Sequence, residues 1–122
     1  MRRIIVPLVT DTSGAGTLYS EAVYGELYAV KYKPGSLATG TDITITCEDD
    51  GASKPVLTLT DAGTSALWKY PRDLVHDTSG TALTGTSGGD RAEIICHGRF
   101  KIVIAQGGGA TSDGLLTFHI ED

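Results

Sequence analysis

Residues 42–47 read DITITC, from Asp42 to Cys47. Ile43, Ile45 and Cys47 alternate with Asp42, Thr44 and Thr46, which is the period of a strand with one face buried and one face wet. The parity puts Cys47 in a core. The same period recurs on both sides of this stretch. Upstream, residues 25–33 (GELYAVKYK) place Tyr28, Val30 and Tyr32 on one face and Lys31 and Lys33 on the other, before Pro34-Gly35-Ser36 breaks the run. Residues 17–20 form a short strand before it. Residues 3–10 (RIIVPLVT) set Ile4, Val6 and Leu8 on one face; Pro7 cannot donate to a ladder, so this strand belongs at a sheet edge or is broken there. Downstream, Glu48-Asp49-Asp50-Gly51 is an acidic turn, and residues 56–60 (VLTLT) turn Leu57 and Leu59 inward. Residues 64–70 carry the single tryptophan, and residues 71–89 are the longest irregular segment. Residues 92–96 and 100–105 flank His97-Gly98 as a tight hairpin or as one bulged strand. Gln106-Gly107-Gly108-Gly109 reads as a flexible loop, and residues 115–121 (LLTFHIE) face Leu116, Phe118 and Ile120 inward and His119 outward.

No segment of helical length shows a 3.6-residue apolar period. The expectation is an all-β chain, an antiparallel β-sandwich of about eight short strands with a jelly roll as one form of it. The 122 residues suit one domain, 1–122, with one core. The 16 glycines are about twice the usual ~7%, as tight connections between strands require.

The net charge of −5 argues against a nucleic-acid groove and against an acidic membrane surface as partner. Met1-Arg2-Arg3 precedes an apolar run that Pro7 interrupts and that is too short for a secretory signal, so a cytosolic origin is expected. No apolar run approaches the roughly 18 residues of a membrane span. Cytosolic synthesis predicts that Cys47 and Cys96 are free, buried thiols, a disulfide being the alternative if their strands are adjacent.

Several polar groups could carry chemistry, and each has a plainer reading. Glu48, Asp49 and Asp50, with Asp42 nearby, supply oxygens of the kind calcium takes, but without EF-hand spacing they read as a solvated turn. His76, Asp77, Asp73 and Arg72, with Ser79 or Ser87, can be written as a Ser-His-Asp set, but no GxSxG elbow accompanies them and turn capping explains them. His76, His97 and His119 show no metal-ligand spacing. The glycine run at 107–109 lacks the GK[ST] ending of a phosphate loop. No enzyme and no cofactor are expected. Trp68, Tyr70, Pro71 and Arg72 stand out, because Trp, Tyr and Arg anchor protein interfaces and exposed aromatics line sugar-binding surfaces. Burial of Trp68 in the core is the opposing reading.

Residues 10–20 (TDTSGAGTLYS), 25–46 (GELYAVKYKPGSLATGTDITIT), 68–83 (WKYPRDLVHDTSGTAL) and 100–114 (FKIVIAQGGGATSDG) resemble small β-rich virion structural proteins of tailed bacteriophages. The resemblance spans most of the chain and brings no active site with it. It implies a capsid cement or decoration protein, with the major capsid protein as partner, a homo-oligomer with a trimer favoured, and a virion location after synthesis in the host bacterial cytoplasm. A head-tail or tail component, or a carbohydrate-binding module for host attachment, are the alternatives. Arg2, Arg3, Trp68, Tyr70, Arg72 and Asp73 are the expected contact residues.

Overall fold

The computed structural model describes residues 1–49, 52–83 and 91–121, and these are all strands, turns and loops. Eight strands run β1 (Arg2–Leu8), β2 (Gly16–Lys33), β3 (Asp42–Asp49), β4 (Ala52–Leu59), β5 (Leu67–Lys69), β6 (Arg72–Leu74), β7 (Arg91–Ala105) and β8 (Gly114–Glu121). The main hydrogen-bonded path is β1-β8-β2-β7-β3-β4, with β5 added to β2 and β6 added to β7, and every pairing is antiparallel. The expected all-β architecture is therefore present, as one antiparallel sheet that wraps around a single core in the manner of a β-sandwich. β1 lies at one edge and pairs only with β8, as Pro7 requires.

The wrapping depends on two long strands. β2 pairs with β7 through Gly16–Leu27 and with β8 through Glu26–Lys33. Residues expected to form two strands, 17–20 and 25–33, are thus one. β7 is likewise continuous through His97-Gly98 and keeps strict alternation, with Ile94, Cys96, Phe100, Ile102 and Ile104 all buried. The irregularity lies in its partner: Ser20 and Glu21 of β2 together oppose Phe100, between the pairs Tyr19↔Lys101 and Ala22↔Arg99. The Ser20 Oγ accepts the Phe100 N–H at 2.9 Å and donates to the Glu21 carbonyl at 2.8 Å, so the bulge is tied off rather than left open.

Opposite this bulge β7 curls over the core. Cys47 pairs with Phe100, and Cys96 lies four residues earlier on β7, about 13 Å away along a straight strand at ~3.3 Å per residue. The Cα atoms of Cys47 and Cys96 are nevertheless only 6.0 Å apart, and their sulfurs are bonded. The expectation of free thiols is corrected here. Both cysteines are buried as expected, but a curl of β7 between Cys96 and Phe100 brings together two residues that a flat sheet would keep apart. Gly25, the partner of Cys96, sits where β2 passes from β7 to β8; a Cβ there would lie 2.7 Å from the Glu121 carbonyl oxygen, so only glycine lets the β8 end cross.

The core joins Ile4, Val6 and Leu8 of β1, Leu116, Phe118 and Ile120 of β8, and Ile43, Ile45 and Cys47 of β3, as their alternation indicates. The Phe100 and Phe118 rings stack across it with centroids 4.3 Å apart. Two parities differ from expectation because of further bulges. An irregularity between Leu27 and Ala29 turns Tyr28 outward while Val30 and Tyr32 stay buried. A second, between Ile45 and Thr46, lets Val56 join Leu59 in the core, while Leu57 packs against it half-buried.

The long irregular segment contains β6 and a His76↔Ala82 bridge; its residues 84–89, including Ser87, lie outside the described residues, as do residue 90 and Asp50 and Gly51 of the acidic turn. The glycine loop at 107–109 is packed rather than free: the Gly107 N–H donates to the Gly14 carbonyl at 2.8 Å, and the Ala38 N–H donates to the Gly107 carbonyl at 3.1 Å.

Candidate functional site

The strand registers lay out the outward face of β1, β8, β2 and β5 as rows. One row runs Ile5, Thr117, Lys31, Trp68. The next, toward one end of the strands, runs Arg3, His119, Ala29; the row toward the other end runs Pro7, Leu115, Lys33. Trp68 is 48% exposed, which settles its position outside the core. Its indole lies 5.2 Å from the His119 ring, and the Lys31 ammonium sits 5.4 Å from the indole centroid. Beside this group, Tyr70 meets Tyr28 edge-on at 5.9 Å. The Arg72 guanidinium donates to the Tyr28 carbonyl at 3.0 Å and to the Pro71 carbonyl at 2.8 Å, and lies 5.5 Å from the Tyr28 ring centroid. Such contacts hold aromatic and cationic side chains in place while leaving them exposed.

Of the expected contact residues, Arg3 belongs to this face, Trp68 sits within it, and Tyr70 and Arg72 join it through Tyr28. Arg2 and Asp73 do not share it: Arg2 occupies the opposite parity on β1, paired with Ile120, and Asp73 points away from its neighbour Arg72 on β6. Lys31, Tyr28, His119 and Ile5 were not singled out by sequence. Lys31 and Ile5 could have been found by laying strands beside one another, whereas Tyr28 was hidden by the bulge. His119 is half-buried and its Nε2 has no hydrogen-bond partner among the described residues. Burial, then Arg3, then Lys31 hold its imidazole below the ordinary value of 6.5, so it is neutral at pH 7.

The other polar groups weighed from sequence have structural occupations. The Asp77 Oδ1 accepts the N–H groups of Ser79 and Thr81, both at 2.9 Å, and closes a turn. Asp42 accepts the Asp61 N–H at 2.9 Å and the Gln106 side-chain amide at 3.1 Å. Glu48 accepts from the Ser53 hydroxyl and lies 4.0 Å from the Lys101 ammonium. Both sulfurs are consumed by the disulfide, so neither cysteine is a nucleophile.

A second cluster arises only from the fold. Glu26 of β2, Glu93 of β7 and Glu121 of β8 bring carboxylate oxygens within 4.8 Å of one another, next to a recess of about 280 Å³ lined by Gly25, Glu26, Ile95, His97 and Glu121. Burial, a hydrogen bond with Glu121 and the charges of Glu121 and Glu26 raise the Glu93 carboxyl above its ordinary value of 4.5, against the lowering effect of Arg72. A raised folded value means that the fold favours the protonated acid. Its stabilising contribution is complete below pH 4.5 and is lost as the pH rises through the folded value. Glu93→Gln is therefore expected to raise stability at pH 7 by roughly 0.5–1 kcal/mol, the scale of a like-charge cross-strand pair, and to give no gain at pH 4. Urea midpoints at the two pH values check this.

No protein-family model matches this sequence, and no curated protein matches it.

Proposed function

We propose that this domain is a structural protein of a tailed-phage particle, a decoration protein that docks on the outer capsid lattice through the outward face of β1, β8, β2 and β5. The observation that carries the reading is the exposed group of Trp68, Tyr28 and Tyr70, fixed by Lys31 and Arg72 on a rigid sheet. Aromatic and arginine anchors with little conformational freedom left to lose are what a binding surface needs. The sequence resemblance supplies the phage setting. The partner is then the major capsid protein, the active form is a homo-oligomer, a trimer at three-fold positions, and many weak contacts add through multivalency. The chain acts without catalysis or cofactor and resides on the virion after synthesis in the bacterial cytoplasm. The Cys47–Cys96 disulfide suits a protein that works outside the reducing cytosol.

Purified protein added to capsids that lack it should bind in saturable, stoichiometric amounts and leave free capsid subunits unbound. Trp68→Ala should weaken binding about thirtyfold, the ~2 kcal/mol of an interface anchor. Absence of binding to such capsids ends the decoration reading. A head-tail or tail component would instead appear at a handful of copies per particle. A carbohydrate-binding module would use the same aromatics and would register on a glycan array.

A further inference from the structure

We infer that the outward face of β1, β8, β2 and β5 is built to receive an acidic protein surface. The inference names the partner chemistry of the docking face proposed above and rests on that face, though not on the phage setting. It is carried by where the charges lie. The three rows from Pro7–Leu115–Lys33 to Arg3–His119–Ala29 contain no Asp or Glu, and the acidic pair Glu121 and Glu26 borders them at the β8 end. They contain Arg3, Lys31 and Lys33, whereas Arg72 is paired across strands with Glu93. With these three of the ten Lys and Arg set apart, fifteen Asp and Glu face seven Lys and Arg in the rest of the chain. A cationic face on an anionic body orients the molecule toward a carboxylate-rich partner and turns its other sides away.

Three observations favour a protein over a sugar or a nucleic acid. The indole of Trp68 is already engaged by the His119 ring and the Lys31 ammonium, which leaves less of its π surface for a sugar ring. Ile5, 53% exposed, adds aliphatic area beside the cations, and apolar area next to Arg and Lys suits a protein surface. The body's net charge of −5 opposes the dense, continuous phosphate field of a nucleic acid.

The test uses the intact chain and immobilised poly-L-glutamate as the probe, without any capsid, so it stands or fails apart from the virion reading. Binding is expected in 50 mM NaCl and its loss in 500 mM NaCl, where the screening length falls to a few ångströms. Arg3→Glu/Lys31→Glu should weaken binding at least tenfold. Lys101→Glu, on the outward face of β7, should stay within twofold of wild type. Arg3→Gln/Lys31→Gln, a milder pair, should weaken binding in the same direction if the reversed pair folds poorly by circular dichroism. Polygalacturonate and duplex DNA serve as the sugar and nucleic-acid arms. The inference is overturned by no binding to poly-L-glutamate, by equal losses from the Lys101 variant, or by tighter binding to either other polymer. A salt-sensitive dimer in sedimentation at 50 mM NaCl that Arg3→Glu/Lys31→Glu abolishes would make a second copy of this chain the occupant, and would overturn it too.

Discussion

Replacing both cysteines, Cys47→Ala/Cys96→Ala, should cost the domain about 4 kcal/mol and lower its melting temperature by on the order of 15 °C. The two residues are 49 apart in sequence, between the ~15-residue loop for which chain entropy gives about 3 kcal/mol and the ~100-residue loop for which it gives about 4.7 kcal/mol. A native-state contribution adds to that. The bond clamps the curl of β7 opposite the Ser20–Glu21 bulge, so without it the strand is held to its curved path by its ladder to β2, by packing and by the Ser20–Phe100 hydrogen bond. Double replacement avoids leaving an odd thiol. Calorimetry on the variant is the measurement, and a melting temperature within about 3 °C of wild type would contradict this account of the corner. Both sulfurs are fully buried, so a mild reductant should leave the folded protein unchanged and act only once it unfolds.

The second large effect belongs to the stacked pair at the centre of the core. Phe100 and Phe118 are both completely buried, and their rings are nearly parallel, at 4°. Truncating either to alanine should cost roughly 3–5 kcal/mol. That is a large share of the 5–15 kcal/mol that holds a typical domain together, so Phe→Leu at each position keeps the comparison measurable. The double Phe→Leu variant should lose less than the sum of the singles by about 0.5–1.5 kcal/mol, because the first substitution already removes the stacking. Denaturant midpoints on the four proteins read this directly. Strict additivity would mean that the two rings contribute as separate pieces of apolar area.

Much of this architecture can be read from alternation. In residues 3–8, 42–47, 100–105 and 115–121 the apolar parity matches the buried parity, because the extra residue of each bulge lies in the partner strand and not in these stretches. Alternation fails where one extra residue shifts the count. The bulge at Leu27/Ala29 turns Tyr28 out although its spacing from Val30 and Tyr32 places it in, and no local residue signals the shift. β5 and β6 are three residues each, too short for any period to show. The disulfide escapes a one-dimensional reading for another reason: it depends on how far β7 bends, and neither cysteine's neighbours encode that angle. The candidate face is half legible in the sequence. Trp68, Tyr70, Arg72 and Arg3 stand out by residue type, whereas Lys31 and His119 gain meaning only once β2 and β8 lie beside β5 and β1. The Glu26, Glu93 and Glu121 cluster draws one carboxylate from each of three distant strands, so nothing in sequence unites it.

The two long strands that carry the sheet around the core also govern how it comes apart. β2 hydrogen-bonds to β7 along its first part and to β8 along its last, and β7 serves β2, β3 and β6 in turn. Every strand pair except β1–β8 and β3–β4 includes β2 or β7. The strands on either side of β2 and β7 are thus not independent folding units, and loosening one side pulls on a strand that the other needs. Such a molecule has no stable half-open form to visit. It opens as a single cooperative event, and the amides in the middle of β2 and β7 exchange with solvent only when the whole domain does.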